Sequence, residues 1–142
     1  MNILTNEDNP NTLKLIIAAK VVQQSVTVKK VEPKESFLGR LPSIELSSGL
    51  VLFSTNAAMQ LIIPPSEELK IINSKWLEWE ISQLQSAITF YGSTGIYKTT
   101  HKSGLWSLLE ELNNVLKDKK YLIKDNNDLS LADICIWVTL WS

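Results

Sequence analysis

Few side chains in this sequence stand where they could act on a substrate. Glu78 and Glu80 flank Trp79 and follow Trp76, which puts two carboxylates beside aromatic surface. A shared catalytic proton needs carboxylates that converge, and residues two apart on a helix point to different sides. This pair therefore reads as solvated charge. His101, the single histidine, lies in a polar loop with Lys98 and Lys102 and reads as exposed and idle. Cys135, the single cysteine, sits in an apolar helical run and reads as core. It excludes an internal disulfide, consistent with a reducing compartment. One histidine and one cysteine assemble neither a metal cluster nor a Ser–His–Asp or Cys–His site. No catalytic residue, metal or cofactor is assigned. Ser54 and Thr55 open a helix, where backbone amides favour an anion, although an N-cap is the simpler role for Ser54. Lys29, Lys30, Lys34 and Arg40 could meet a nucleic-acid backbone, but Glu32 and Glu35 interleave and weaken the patch. Direct binding to nucleic acid, whether DNA, mRNA or tRNA, is not expected.

The bulk chemistry agrees. A formal charge of −1 and a pI near 5.8 exert no global pull toward nucleic acid or membranes. Of 14 basic residues all but Arg40 are lysines, which argues against a surface built to read phosphates. The 142 residues, 44% of them hydrophobic, suffice for one domain or two small lobes with a sizeable core. Met1 leads into Asn2-Ile3-Leu4-Thr5 without a basic segment and long apolar run, so no signal peptide is read and the expected location is cytoplasmic.

The elements that must position these groups fall into two sets. Ile3 and Leu4 predict a short strand. A loop through Pro10 precedes a helix capped at Asn11, with Leu13, Ile16, Ile17, Ala18 and Val21 inward and Lys14 and Lys20 outward. Val26 and Val28 predict a half-buried strand, and Val31 to Arg40 a loop or frayed helix. Leu41 to Leu46 and Leu50 to Phe53, joined by Ser47-Ser48-Gly49, predict a hairpin. Ser54 then caps a helix that Pro64-Pro65 stops.

No strand pattern follows. Ser66, Glu67 and Glu68 start a long helix to about Tyr91, with Gly92 placed to end it. Its stripes are Leu69, Ile72, Trp76 and Trp79 on one side and Leu77, Ile81, Leu84 and Ile88 on another. Leu105 to Leu116 form an amphipathic helix ended by Lys117 to Lys120. The last stretch, Leu129 to Ser142, organises the rest. Ser130 and Asp133 form a capping box, and Leu129 and Ile134 a hydrophobic staple. Beyond them the helix is apolar almost all round, which predicts burial on every side. No stop signal precedes Ser142, so the natural protein is expected to continue.

These segments resemble the glutathione-transferase fold: a thioredoxin-like α/β lobe, 1–63, and an all-helical lobe, 66–142, cut before the last helices. Leu41-Pro42-Ser43-Ile44 resembles the cis-proline entry to the third strand. Phe53-Ser54-Thr55-Asn56-Ala57-Ala58 resembles the turn that holds the γ-glutamyl end of glutathione. Ser130 to Asp133 resembles the capping box of the central sixth helix. Within the superfamily, LFSTNA (Leu52–Ala57), KWLEWE (Lys75–Glu80), LQSAI (Leu84–Ile88) and LSLAD together are most similar to the domains appended to cytosolic methionyl-tRNA synthetases. LSLADICIWVTL is as similar to the domain of glutamyl-prolyl-tRNA synthetase. Leu105 to Leu116 with Lys119–Leu122 resembles a free-standing scaffold protein of the multi-synthetase complex. Pro64-Pro65, which shortens the link between lobes, and Lys124-Asp125, where a glycine is common, depart from the pattern.

The resemblance implies a vestigial glutathione pocket at Leu41, Pro42, Ser54 and Thr55. A transferase needs a tyrosine, serine or cysteine after the first strand. Residues Thr5 to Thr12 contain none; Thr5 or Thr12 would be a poor substitute, and Glu7 and Asp8 disfavour an anionic sulfur. What the resemblance implies instead is a non-catalytic docking domain. It would pair with the transferase-like domain of an auxiliary protein and so recruit a synthetase into a multi-synthetase complex. The expected contacts are Met59, Gln60, Ile63, Asn73, Leu77 and Glu80.

Overall fold

The computed structural model describes residues 1–6, 9–94, 102–123 and 129–142. The chain divides into two units, Met1–Ser66 and Glu67–Trp141.

In the first unit, strand β1 (Asn2–Thr5) alternates in burial, with Ile3 and Thr5 inward. Helix α1 (Pro10–Val21) starts earlier than its sequence implied. Asn9, not Asn11, is the N-cap, and its side chain accepts from the Asn11 amide at 3.0 Å. Pro10 explains the shift: its fixed φ and missing N–H suit the first helical position. The helix buries Thr12, Lys14, Leu15, Ala18 and Ala19, while Leu13 and Val21 are exposed. Lys14, expected outside, is only 1% exposed. The run from Leu13 to Ala19 is apolar on more than one face, so periodicity could not select the inner one. At the C-terminus Gln23 takes a left-handed φ of 55° and Gln24 N–H reaches back to the Ala19 carbonyl, a helix-closing geometry usually left to glycine.

Strand β2 (Thr27–Lys30) runs parallel to β1, pairing Ile3 with Val28. It is an edge strand and all four residues are exposed, so Val28 is not the half-buried residue expected. Two single 3₁₀ turns, Pro33–Glu35 and Phe37–Gly39, follow. Strands β3 (Ser43–Glu45) and β4 (Val51–Leu52) form the antiparallel hairpin, with Gly49 at φ 84° in its turn. The sheet order is β2-β1-β3-β4. Helix α2 (Thr55–Ile62) packs on α1 and buries Ala58, Met59 and Ile62.

In the second unit, α3 (Glu67–Trp79), a wide π-type turn (Glu80–Gln85) and α4 (Ser86–Thr94) make one continuous helical stretch. Gly92 lies inside α4 and does not end it. An α-helix advances about 100° per residue, so residues four apart drift by about 40°. The wide turn takes back that drift and holds Trp76, Glu80 and Leu84 on one buried line. It also leaves Ile81, assigned to an inward stripe, 43% exposed. Helix α5 (Lys102–Leu116) and helix α6 (Leu131–Trp141) complete the unit. Trp76, Leu84, Leu112, Leu122, Ala132 and Ile136 form the core cluster. Each leucine and isoleucine among them contributes roughly 1.5–3 kcal/mol by leaving water. Trp79 meets Trp76 edge-on, with ring centroids 5.5 Å apart. Helix α6 is not buried all round. Trp137, Leu140 and Trp141 remain exposed, and the two indoles stack at 5.9 Å.

Candidate functional site

The residues expected to form a glutathione pocket are brought to one end of the sheet. Leu4 pairs with Ser43 and Ile44 with Leu52, both antiparallel, so extending the registers sets Asn6 opposite Leu41 and Pro42 opposite Ser54. The Leu41–Pro42 peptide is cis. The Asn9 side-chain amide donates to the Leu41 carbonyl at 3.3 Å, tying the start of α1 to the entry of β3. Ser54 caps α2 and accepts from the Ala57 amide at 3.4 Å. Ser54 is exposed and Thr55 half-buried.

The two threonine hydroxyls at this sheet end are already engaged, whereas the buried Ser43 hydroxyl after the cis peptide has no hydrogen-bond partner among the described residues. Thr5 and Thr12 are buried and their oxygens lie 2.5 Å apart. Thr5 also donates to the Asn6 carbonyl at 2.9 Å. A hydroxyl carries one proton, so the proton between the two threonines comes from Thr12 and neither is left to steady a thiolate. Glu7 and Asp8 lie outside the described residues, as do Lys98, His101, Lys124 and Asp125. Among the described residues no group of three His, Cys, Asp or Glu side chains could hold a metal ion. No helix among them is long and apolar enough to cross a membrane.

Of the six expected partner contacts, four are not surface residues. Met59 in the first unit, and Asn73, Leu77 and Glu80 in the second, are buried. Side chains already covered within one chain have almost no area to give a partner. Met59 packs instead of docking, a difference its sequence does not show because a flexible thioether on a short helix suits either role. Glu80 corrects two expectations, since it is neither a contact nor solvated, while Glu78 is exposed. Gln60 and Ile63 stay half-exposed.

Surface apolar groups that sequence reasoning passed over are found elsewhere. In the first unit Phe37 and Phe53 stack with centroids 5.8 Å apart while 52% and 49% exposed. Leu38, Leu50 and Leu61 of the same unit are also exposed. The available signal was Phe37-Leu38, an apolar pair inside an otherwise unpatterned polar stretch. The four basic residues Lys29, Lys30, Lys34 and Arg40 are exposed. The carboxylates of Glu32 and Glu35 fold onto backbone amides of the first 3₁₀ turn. In the second unit the exposed side of α6 borders a groove of about 290 Å³, lined by Leu112, Leu116, Tyr121, Leu122, Ile136 and Trp137 among others.

This architecture is the glutathione-transferase fold. Residues 1–65 match the family model described as the glutathione S-transferase N-terminal domain. A glutathione S-transferase structure from Pichia kudriavzevii superposes with a TM-score of 0.74 at 27% identity, covering 99% of this chain and 79% of that one. Among curated proteins, the chain is similar to the cytoplasmic methionine–tRNA ligases of Xenopus laevis, 28% identical over 153 residues, and Bos taurus, 29% identical over 153 residues. Each match covers 99% of this chain and 17% of the ligase, so the chain spans about a sixth of these relatives.

Proposed function

We propose that this chain is a non-catalytic protein-docking domain of a cytoplasmic methionyl-tRNA synthetase. It pairs with a transferase-like domain of an auxiliary protein and so brings the synthetase into a multi-synthetase complex. The observation that carries this reading is the stacked Phe37–Phe53 pair left half-exposed on the transferase-like unit. Exposed aromatic surface on a small lobe costs solubility and is favoured where a partner covers it. The engaged hydroxyls of Thr5 and Thr12 support the non-catalytic half of the reading. The half-exposed Gln60 of α2 and Ile63 at its C-cap remain as contacts; Met59, Asn73, Leu77 and Glu80 do not.

The test is a pull-down from cytosol with the tagged chain, bound proteins being identified by mass spectrometry. Synthetase-complex components are expected in stoichiometric amounts, and at least tenfold less of them with Phe37→Asp/Phe53→Asp. Recovery of the chain alone would remove the docking reading in favour of a homodimer. In a parallel assay with glutathione and a chromogenic electrophile, turnover above the uncatalysed rate would remove the non-catalytic one.

A further inference from the structure

Glu80 is a charged side chain with no exposed surface, and the docking reading makes no use of it. Its Oε1 accepts from Gln85 Nε2 at 2.8 Å and from the Thr139 hydroxyl on α6. The first bond is sensitive to helix register. Five residues along an α-helix rotate by about 500°, which leaves the two side chains about 140° apart and out of reach. In a π-type turn, where backbone bonds run from i to i+5, the same two residues face each other. The Ser86 hydroxyl follows the same pattern, donating to the Ile81 carbonyl at 3.4 Å.

We propose that Glu80, with Gln85 and Thr139, is the pin that selects the wide-turn register of Glu67–Thr94 over an unbroken α-helix. The carboxylate joins the turn to itself through Gln85 and to the central helix through Thr139. Without the pin, the residues past the turn fall out of phase by one position, about 100°. Leu84 and Ile88 then leave the core, and α4 turns a different set of side chains outward, beginning with Phe90, now 47% exposed. Glu80 is thus a positioning residue for the outer face of α4.

Two replacements of Glu80 separate the pin from simple core filling. Glu80→Gln keeps an acceptor oxygen in place. Glu80→Leu keeps bulk but leaves Gln85 and Thr139 without their acceptor. The labelled 142-residue chain is followed by NMR. Glu80→Gln is expected to retain i to i+5 contacts across residues 80–86. Glu80→Leu is expected to show i to i+4 contacts there and shifted amide resonances through residue 94. Retention of the i to i+5 pattern in Glu80→Leu would overturn the proposal and leave the register to the packing of Leu84. If Glu80→Leu does not fold, Gln85→Leu and Thr139→Val each remove one donor. Each is expected to speed amide exchange across residues 80–86 about tenfold while leaving residues 67–79 unchanged; unaltered exchange in both would equally overturn it.

Discussion

Ser54 and Ser130 each head a helix of this chain, and the two serines carry unequal shares of the structure. Ser54 heads α2 from an exposed position and accepts one long bond, 3.4 Å from the Ala57 amide. Ser130 heads α6 from a buried one. Its hydroxyl and amide donate to the same oxygen of Asp133, at 2.6 and 2.9 Å, and the other Asp133 oxygen accepts the Leu122 amide at 2.9 Å. The carboxylate therefore satisfies the helix start and also anchors a segment eleven residues upstream. Both serines look alike as N-cap residues. They differ because one cap is closed by local amides alone, whereas the other is locked into the tertiary structure through its acidic partner.

That contrast can be broken in graded steps. Asp133→Ala should have the largest effect, about 3 kcal/mol or more, since it orphans the amides of Leu122 and Ser130 together. Urea unfolding followed by fluorescence measures it, because all five tryptophans lie between Trp76 and Trp141. Ser130→Ala should cost about 1–2 kcal/mol, and the double variant less than the sum, as the two residues share one network. Strict additivity would mean that the box is not a unit. Ser54→Ala should cost only about 0.5–1 kcal/mol. The first unit has no tryptophan, so amide exchange over residues 55–62 is the measurement, with recovery of partners expected to stay as in the parent chain. Breaking the exposed Glu67–Lys70 pair, 3.5 Å apart, should change stability by less than about 0.5 kcal/mol.

The aromatic residues repeat the lesson. Trp76 and Trp79 lie in the stripe the sequence marks as inward, and both pack at the core of the second unit. Trp137 and Trp141 sit in a helix that reads as inward on every side, yet both face out. An apolar helix announces that it needs cover without announcing where the cover comes from.

Element types and their ends were legible in the residues themselves wherever neighbours in sequence supply the chemistry. Ser47-Ser48-Gly49 turns a hairpin, Pro64-Pro65 ends α2, Glu67 and Glu68 open α3, and Ser130 with Asp133 open α6, all through bonds or dihedrals spanning a few residues. Tertiary structure alone decided which faces are covered. It buried Lys14 and Glu80, exposed Val28, Trp137 and Trp141, and inserted the wide turn that keeps Leu84 inward. The physical reason is range. Capping and turn energies depend on atoms a few residues apart, whereas burial depends on which distant side chains arrive, and Glu80 meets Thr139 only after 59 residues of chain have folded back.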